Sequence, residues 1–454
     1  MEEYYLPIIL NGRTIYGDEL RLEYDRQEKI RISLPNVKDN HLLEIGKLSG
    51  RELHKVNLDE IISFLSQVGE LWENKNYHFR KEAAKISSLT TGYHERMIQH
   101  SYDMIPKMLN KKFLIETVNI EIGNKEFLDR WIKVGGTRVH ALPLGKLLHI
   151  VAGNVPIVSI LSFVMGILTK NINIIKVASG DPATFIYFAL SFEEIDKNHP
   201  VNRTTSTLYW RHNADVERKC INIVDGLLVW GSFDALYSIR KKSKPGQAIL
   251  EFGPRRSFIF VGEEVYKDIS ALEEISQRIV HDLSLYDQQA CHSPQVIFFE
   301  GNAEKFCEAI AKTLEKEKYK LPKGFTSIDE KASITHERMM ARFRGDKVFH
   351  PSTTEWTVIL TKDFENTKNH PLSRTLYVVE VENLKEAVKY IDRSVMVVAF
   401  SSYERLEELK EDVFLRGADR VTMVGRMGYF PLGHPQEGKR NLSQLVKWVG
   451  ADVI

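Results

Sequence analysis

The sequence predicts an α/β protein with two sheet-containing domains, and two observations support this prediction. From about Leu148 onward, short apolar runs rich in β-branched residues alternate with amphipathic stretches of helical length, the pattern of parallel βαβ units. The chain has 454 residues, of which 43% are hydrophobic, so it is long and apolar enough for two or three domains with their own cores.

The first βαβ unit is the clearest. A strand over His149–Ala152 is followed by the turn Gly153–Pro156, and apolar residues then recur at helical spacing as far as Leu168. Residues Ile172–Val177 predict the next buried strand, which ends in the turn cluster Ala178–Pro182. Open parallel sheets bind ligands at such strand ends, so this edge is a candidate binding site.

The second unit ends in a junction of small residues. Thr207–Trp210 and Leu227–Trp230 predict strands on either side of a helix over Val216–Val224, and Gly231-Ser232 opens the next helix. Small residues there let a phosphate approach the N–H groups at the positive end of a helix. The basic run Arg240–Lys244 follows, and it is either a solvated face or a partner for the phosphates of a cofactor or coenzyme A.

The alternation continues to the C-terminal part of the chain and predicts a second α/β sheet. Its predicted strands are Ser257–Val261, Gln295–Phe299, Val358–Leu360, Leu376–Val379 and Val395–Phe400. The first 95 residues are mixed, with a hairpin-like Ile8–Arg13 and a helical Leu58–Trp72, and their sequence assigns them no function.

Composition excludes several classes of protein. Lys and Arg number 62 and Asp and Glu 61, and this near-neutral balance argues against nucleic acid as the main partner. The acidic start Met1–Tyr5 is unlike a signal peptide, and the apolar stretch Val155–Leu168 is shorter than the ~20 residues of a membrane span. We therefore expect a cytoplasmic protein without a membrane span.

Motif searches exclude common nucleotide and metal sites. The chain has no Gly-x-Gly-x-x-Gly fingerprint. Residues Gly433–Arg440 nearly form a Walker A loop but end in Arg where a Mg²⁺-binding Ser or Thr is required. Neither His-Glu-x-x-His nor Cys-x-x-Cys occurs, so we expect no metal.

The three cysteines differ in context. Cys220 and Cys307 lie in amphipathic helical runs, where a free thiol usually packs in the core. Cys291 lies in the polar loop Asp287–Pro294 between a helix and an apolar strand, where a thiol is accessible and a catalytic role is open. The adjacent His292 is interpreted as a structural or substrate-proximal residue, since consecutive side chains usually point apart.

Two further residues carry alternative interpretations. Asn154 is either an ordinary helix N-cap or an amide that donates to the oxyanion of a tetrahedral intermediate. Glu251, flanked by apolar residues, is either a salt-bridged structural carboxylate or a general base with a raised pKa.

The order of these pieces resembles the aldehyde dehydrogenase superfamily. The sequence presents Asn154-x-Pro156, Lys176 at a strand end, Gly231-Ser232, Glu251-Phe252-Gly253 and Gln289-Ala290-Cys291 in that order. Within the superfamily, the opening Leu6–Gly12 and the block Tyr286–Cys291 resemble the long-chain acyl-protein thioester reductases of luminous bacteria.

The resemblance implies a Rossmann-like cofactor domain, over residues 96–253, that lacks the glycine fingerprint. It also implies a catalytic domain over 254–430, with an N-terminal segment over 1–95 packed on the cofactor domain and a C-terminal segment over 431–454. By position it gives roles to eight residues: nucleophile Cys291, oxyanion donor Asn154, base Glu251, adenosine-ribose contact Lys176, cofactor residue Ser179, pyrophosphate-side Gly231 and Ser232, and nicotinamide-ribose contact Glu355.

The cofactor implied is NADPH. Ser179 lies where members that prefer NAD often carry a glutamate, and a carboxylate there would repel a 2′-phosphate. Two departures affect this region: Glu-Phe-Gly-Pro replaces the family's Glu-Leu-Gly-Gly at Glu251, and the family's Gly-Ser-x-x-x-Gly ends in Leu236. At Glu355 the family's following Phe-Gly-Pro is absent.

The implied activity is the NADPH-dependent reduction of long-chain fatty acyl thioesters to aldehydes through an acyl-cysteine, in support of bacterial luminescence. The implied partners are acyl-protein synthetase and acyl-transferase subunits of a fatty acid reductase complex, and a homo-oligomer is expected. Two alternatives stay open: another superfamily reductase acting on free aldehydes or acyl phosphates, and a cysteine acyltransferase or thioesterase that binds no dinucleotide.

Overall fold

The chain forms two units, and each contains a seven-stranded sheet. Unit 1 comprises Met1–Gly253 with Pro431–Ile454, and unit 2 comprises Pro254–Phe430. The structure is a computed structural model that describes residues 1–26, 28–211, 214–429 and 433–452. The boundary predicted at residues 430 and 431 lies outside these described residues.

The N-terminal strands of unit 1 join two sheets. They are β1 (Glu2–Tyr5), β2 (Ile8–Leu10), β3 (Arg13–Ile15), β4 (Leu20–Asp25) and β5 (Lys29–Leu34). β1 is parallel to β5, and β4 is antiparallel to the other side of β5. β2 and β3 form the predicted hairpin, because Asn11 and Gly12 adopt the positive φ angles, 52° and 77°, that a type I′ turn requires.

Seven helices follow β5. They are α1 (Asp39–Lys47), α2 (Arg51–His54), α3 (Leu58–Glu73), α4 (His78–Thr91), α5 (Glu95–Tyr102), α6 (Ile105–Met108) and α7 (Lys111–Ile122). The predicted helix at Leu58 is confirmed as α3, which begins after the N-cap Asn57, whose side chain accepts from the backbone N–H of Asp59 at 2.8 Å. Its buried residues recur at helical spacing and include Leu65 and Trp72.

The βαβ region completes unit 1. Its strands are β6 (Ile132–Val134), β7 (Thr137–Pro143), β8 (Lys146–Ile150), β9 (Ile172–Lys176), β10 (Thr205–Leu208), β11 (Gly226–Trp230) and β12 (Ala248–Phe252). Its helices are α8 (Val158–Leu168), α9 (Ala183–Leu190), α10 (Phe192–Asp196), α11 (Pro200–Arg203), α12 (Ala214–Ile223), α13 (Phe233–Lys242) and a 3₁₀ turn at Lys125–Leu128.

The strand order of this sheet indicates where a ligand would bind. The strand order is β12-β11-β8-β9-β10-β2-β3, with β8 to β12 parallel and β2 antiparallel to β10. After β8 the chain adds β9 and β10 on one side and then β11 and β12 on the other. The order therefore reverses between β8 and β11, and ligands of open α/β sheets bind at the carboxyl ends of strands near such a reversal.

The first βαβ unit differs in its boundaries from the prediction. β8 ends at Ile150, and α8 begins only at Val158, with Ile157 as N-cap. The turn predicted at Gly153–Pro156 is retained, since the ring of Pro156 disfavours the helical conformation of Val155.

A buried histidine in β8 makes unit 1 sensitive to acid. His149 is fully buried, with Nδ1 2.8 Å from Ser162 Oγ and Nε2 3.0 Å from Asn173 Oδ1. Burial lowers the pKa of His149 to about 4, while the hydrogen bond with Asn173 opposes this shift. Because the unfolded chain takes up the proton more readily, the contribution to stability is present above about pH 6.5 and is lost as the pH falls towards 4.

We expect this loss to be absent from a His149→Gln variant, since glutamine does not titrate in this range. Between pH 7 and pH 5, the free energy of unfolding of the wild type should fall by about 2 kcal/mol more than that of the variant. Urea denaturation at the two pH values measures the difference. Parallel pH profiles for the two proteins would contradict the prediction.

Unit 2 contains the second predicted sheet. Its strands are β13 (Arg256–Val261), β14 (Val296–Glu300), β15 (Lys347–Phe349), β16 (Thr357–Thr361), β17 (Thr375–Val381), β18 (Val395–Phe400) and β19 (Arg420–Met423). Its helices are α14 (Ile269–Ser284), α15 (Glu304–Glu317), α16 (Ile328–Arg344), α17 (Leu384–Ala387) and α18 (Tyr403–Arg416), with 3₁₀ turns at Glu263–Tyr266, Leu285–Gln288, Phe364–Thr367 and Val388–Tyr390.

This sheet is buried on both faces. Its order is β15-β16-β17-β14-β13-β18-β19, and all neighbours are parallel except β15 and β16. Alternate residues of β13 enter two separate cores, with Ile259 and Val261 in one and Phe258 and Phe260 in the other. Continuous apolar strands are typical of a parallel sheet covered by helices on both sides, so the α/β prediction is confirmed.

The C-terminal segment returns to unit 1. It forms α19 (Asn441–Gln444) and β20 (Val446–Asp452), and β20 pairs antiparallel with β7 in the sheet β20-β7-β6. The backbone N–H of Leu442 donates to Glu121 Oε2 at 2.7 Å, and Asn171 Nδ2 donates to the carbonyl of Leu445 at 2.9 Å.

Candidate active site

Six of the eight predicted site residues lie along the carboxyl edge of the seven-stranded sheet of unit 1. They are Asn154 after β8, Lys176 at the end of β9, Ser179 after it, Gly231 and Ser232 after β11, and Glu251 near the end of β12. The other two, Cys291 and Glu355, belong to unit 2.

A cleft of about 620 Å³ opens at this edge. Its walls come from the ends of β8, β9 and β10, from helices α12 and α13, and from β4 of the N-terminal sheet. The lining residues are Leu22, Glu23, Tyr24, Arg26, Ile150, Lys176, Ser179, Gly180, Tyr209, Trp210, Arg211, Ala214, Glu217, Ser238 and Lys242.

The charges of the cleft suit an anionic ligand. Four cationic side chains line it against two carboxylates, Glu23 and Glu217. Lys242 pairs with Glu217 at 2.6 Å, so one carboxylate is already neutralised by a neighbour. The remaining cations, Lys176 and two arginines, fit the phosphates of a dinucleotide.

Lys176, the last residue of β9, lines the cleft. Its ammonium lies 5.5 Å from the centre of the Tyr209 ring. Burial lowers the pKa of Lys176, and the nearby Glu217 opposes that shift. A ligand oxygen at this position would gain a strong donor that is shielded from water.

Ser179 is exposed to the cleft, and the loop that carries it is held from two sides. The Tyr24 hydroxyl donates to the Ser179 carbonyl, which connects the N-terminal sheet to the loop after β9. On the other side Gly153 packs so closely that an added Cβ would lie 2.9 Å from both the Asp181 nitrogen and the Gly180 Cα. Glycine is therefore required at position 153.

Asn154 is exposed in the turn before α8. Its backbone carbonyl accepts from the Tyr93 hydroxyl at 2.7 Å. The N-cap of α8 is Ile157, so the interpretation of Asn154 as a helix cap is wrong. Its role as an oxyanion donor stays a prediction.

Gly231 and Ser232 form the predicted start of a helix. Ser232 is the N-cap of α13, and its hydroxyl oxygen accepts from the backbone N–H of Ala235 at 3.3 Å. Leu236, which replaces the family's glycine, packs over Gly253, where an added Cβ would lie 3.2 Å from Leu236 Cδ1. The pyrophosphate role of Gly231 and Ser232 stays a prediction.

Glu251 is half-buried and held by a guanidinium. Arg240 Nε donates to Glu251 Oε1 at 2.9 Å, and a second guanidinium nitrogen donates to Oε2. The ion pair agrees with the interpretation of Glu251 as a salt-bridged carboxylate, one of the two given above. Its role as a base stays a prediction.

The unit 2 residues lie at the opposite edge of their own sheet, the amino edge. Cys291 precedes β14, Glu355 precedes β16, and the strand between these two is β17. Cys291 is partly accessible, and its backbone carbonyl accepts from the Ser257 hydroxyl at 2.8 Å.

The other two cysteines are packing residues, as predicted. Cys220 in α12 and Cys307 in α15 are buried among apolar side chains. Burial raises the pKa of both thiols, that of Cys220 to about 12. Both thiols are therefore protonated and unreactive at neutral pH.

His292 is buried, with its ring against that of Tyr286 at 6.0 Å between centres. Burial, with a smaller effect of Arg420, lowers the pKa of His292 to about 3. A neutral buried ring agrees with the structural interpretation of this residue.

Glu355 lies in the loop between β15 and β16. Its carboxylate accepts from the Thr353 hydroxyl at 3.2 Å and lies 3.9 Å from the Lys318 ammonium. The loop itself is held by the buried Arg338, which donates to the carbonyls of Thr353 and Trp356. The nicotinamide-ribose role of Glu355 stays a prediction.

Sequence reasoning missed two groups of residues. Tyr24, Arg26 and Arg211 line the cleft, although no motif surrounds them. Gln288 and Arg374 hold the loop that carries Cys291. Gln288 lies in the block Tyr286–Cys291 but was given no role, and the only signal at Arg374 is a polar residue just before an apolar strand.

The chain matches one known family over most of its length. The family model described as acyl-CoA reductase (LuxC) matches residues 53–448. The chain belongs to the acyl-CoA reductase (LuxC) family. A long-chain acyl-protein thioester reductase of Vibrio harveyi is 31% identical over 98% of this chain and 93% of its own length. One of Photobacterium phosphoreum is 30% identical over 98% of this chain and 90% of its own length.

This acyl-CoA reductase family member has the fold of aldehyde dehydrogenases. A solved lactaldehyde dehydrogenase covers 100% of both chains with a TM-score of 0.77 at 13% identity. The predicted fold is thus confirmed by the solved structure, and the predicted resemblance to acyl-protein thioester reductases is confirmed by the family match. Over the described ranges of the chain, no helix is long and apolar enough to cross a membrane.

Proposed function

We propose that the protein reduces long-chain fatty acyl thioesters to fatty aldehydes, with NADPH as the reductant and an acyl-cysteine on Cys291 as the intermediate. The accessible Cys291 thiol supports this proposal most directly, because it lies on a fixed loop in a chain of the acyl-CoA reductase family. Cys220 and Cys307 are buried, and burial raises the pKa of both thiols, which supports Cys291 as the nucleophile.

The first step is acyl transfer. The Cys291 thiolate attacks the carbonyl carbon of the thioester, and a new carbon–sulfur bond forms while the bond to the donor sulfur breaks. The donor leaves as a thiol with the proton that was taken from Cys291. The negative oxygen of the tetrahedral intermediate needs two donors, which the Asn154 amide and the backbone N–H of Cys291 would provide. Hydrolysis of the acyl-cysteine competes, so the site must keep water from the thioester.

A nicotinamide dinucleotide, when bound, supplies the hydride that reduces the acyl group to the aldehyde. The cleft of unit 1 fits such a ligand, since its cations outnumber its carboxylates. Lys176 and Ser179 would hold the adenosine ribose, and Gly231 and Ser232 the pyrophosphate. Glu355 would contact the nicotinamide ribose.

The preference for NADPH over NADH rests on Ser179. A neutral hydroxyl stands there, and the guanidinium of Arg211 and the ammonium of Lys176 line the same cleft. These cations favour a 2′-phosphate, which a carboxylate at position 179 would repel.

Glu251 is the proposed base that takes the proton of the Cys291 thiol. We expect Glu251→Gln to slow acylation by about 10²-fold, the usual contribution of a general base. Arg240→Gln is the matched control, because it breaks the same ion pair and leaves the carboxylate in place. The acylation rate of both variants is measured in single-turnover experiments at several pH values. If the pair is only structural, the two variants will lose activity equally.

The physiological setting is proposed from the relatives. Their names indicate acyl-protein thioesters as donors, and we extend this to an acyl chain delivered by acyl-protein synthetase and acyl-transferase subunits. The aldehyde would serve bacterial luminescence. A homo-oligomer stays a prediction.

An acyl-labelling experiment tests the proposal. The protein is incubated with radiolabelled tetradecanoyl-CoA, the labelled peptide is identified, and NADPH is then added. We expect label on the peptide of Cys291 and its release as tetradecanal only with NADPH. Release as tetradecanoic acid without any nucleotide binding would indicate a thioesterase, and transfer to another thiol an acyltransferase. Reaction only with free aldehydes or acyl phosphates would indicate another reductase of the superfamily.

A further inference from the structure

Two left-handed backbone turns lie beside the Cys291 loop. Tyr286, Asp287 and Gln288 have φ angles of 51°, 47° and 66°. Leu372, Ser373 and Arg374, immediately before β17, have φ angles of 56°, 55° and 61°. Residues with side chains rarely adopt such angles, and they do so in series only when the surrounding structure holds them there.

A buried ion pair joins the two turns. Arg374 Nε donates to Asp287 Oδ1 at 2.8 Å, and the side chains of the pair are only 4% and 11% exposed. The same guanidinium donates to the carbonyl of Leu321 at 2.8 Å, and the backbone N–H of Gly324 donates to Asp287 Oδ2 at 2.9 Å. The first turn is thus fixed to the second and to the loop after α15.

Gln288 closes the Cys291 loop. Its side-chain amide nitrogen donates to the carbonyl of Pro294 at 2.7 Å and to that of Thr375 at 2.6 Å. Its amide oxygen accepts from the backbone N–H of Thr375 at 2.9 Å. One fully buried side chain therefore joins both ends of the loop around Cys291 and ties them to the first residue of β17.

Lys323 connects the same network to the loop that carries Glu355. Its ammonium donates to the carbonyl of Thr354 at 2.7 Å and to that of Ser373 at 3.0 Å. The loops before β14, β16 and β17 are consequently held together at the amino edge of the unit 2 sheet.

We propose that Gln288 and Arg374 are positioning residues for Cys291: they fix the loop so that its thiol and backbone N–H are in place before the acyl donor binds. The inference rests on the proposed role of Cys291 as nucleophile. Neither side chain touches the reacting atoms, because each is buried and engaged with backbone carbonyls or with Asp287. Their effect is on the rate of acylation, since a small displacement of a reacting group costs large factors in rate.

The test compares Gln288→Leu and the neutral double variant Asp287→Asn/Arg374→Gln with the wild type. The double variant removes both buried charges, so that no unpaired charge destabilises the fold. Arg405→Gln is the matched control, because Arg405 pairs with Glu300 at the carboxyl end of β14, the far end of the same strand. The measurements are the melting temperature, single-turnover acylation by tetradecanoyl-CoA, KM, and the rate of alkylation of Cys291 by iodoacetamide.

We expect Gln288→Leu and the double variant to slow acylation by about 10²-fold with little change in KM. The control should slow it less than about 3-fold, even where it lowers the melting temperature as much. Alkylation of Cys291 should change rate in the two loop variants and not in the control.

Wild-type acylation rates in both loop variants would overturn the proposal, as would equal losses in the control at an equal melting temperature. If Gln288→Leu does not fold, the double variant decides alone. Labelling that persists in Cys291→Ala would overturn the proposed function instead, and the alkylation rates would still test the positioning of the loop.

Discussion

Replacing Cys291 with alanine is expected to abolish acyl labelling and to lower NADPH-dependent aldehyde formation by about 10⁴-fold or more, the size of effect seen when a nucleophile is removed. The physical reason is that the variant has no accessible thiol left to accept the acyl group, because Cys220 and Cys307 are buried. Titration of NADPH fluorescence should show unchanged cofactor binding, since Cys291 neither lines the cleft nor is one of the proposed cofactor contacts.

Two variants serve as controls for this result. Cys307→Ala and Cys220→Ala each remove a buried thiol, and we expect them to lower stability while the acylation stoichiometry stays at one per chain. Cys291→Ser should retain the shape of the loop and lose the reactivity. Aldehyde formation at the wild-type rate by Cys291→Ala would refute the acyl-cysteine intermediate.

Placing a carboxylate at position 179 is expected to reverse the cofactor preference. In Ser179→Glu, a negative charge within about 5 Å of a 2′-phosphate should cost about 3 kcal/mol and lower kcat/KM for NADPH by about 10²-fold. The Tyr24 hydroxyl holds the backbone at this position, so the new side chain should stay directed at the cleft. Activity with NADH should change by less than about 3-fold.

Ser179→Ala is the matched variant, because it removes the hydroxyl without adding charge. It should weaken NADPH binding only slightly. Steady-state kinetics with both cofactors give, for each protein, the ratio of kcat/KM with NADPH to kcat/KM with NADH. A wild-type enzyme that prefers NADH would contradict the argument from the 2′-phosphate, and so would a Ser179→Glu enzyme that keeps its preference for NADPH.

The sequence was sufficient to predict the parts of the fold that local pattern encodes. Alternating apolar strands and amphipathic helices predicted both sheets, and a polar loop between α14 and β14 singled out Cys291. Helix α13 begins after Ser232, as the small residues there indicated. The predicted start of α8 differs from the observed one by a single residue, because Ile157, the first residue after the predicted turn, is the N-cap.

The features that the sequence did not predict depend on contacts between distant parts of the chain. Tyr24 reaches Ser179 across 155 positions, and Arg374 reaches Asp287 across 87. The left-handed turn at Asp287 has no local signal, because the residues that adopt it are not glycines. Nor could periodicity reveal that Cys291 lies at the amino edge of its sheet, since that follows from strand order and direction.

The interrupted path of unit 1 has a consequence for synthesis on the ribosome. Unit 2 is one continuous stretch and has all of its strands once Met423 has emerged. Unit 1 must wait for Val446–Asp452, because only then does β7 gain the partner that shares seven residue pairs with it. An edge of the first unit is thus left uncovered while the second is being made, and a nascent chain stalled in between would present that edge to chaperones or to other chains.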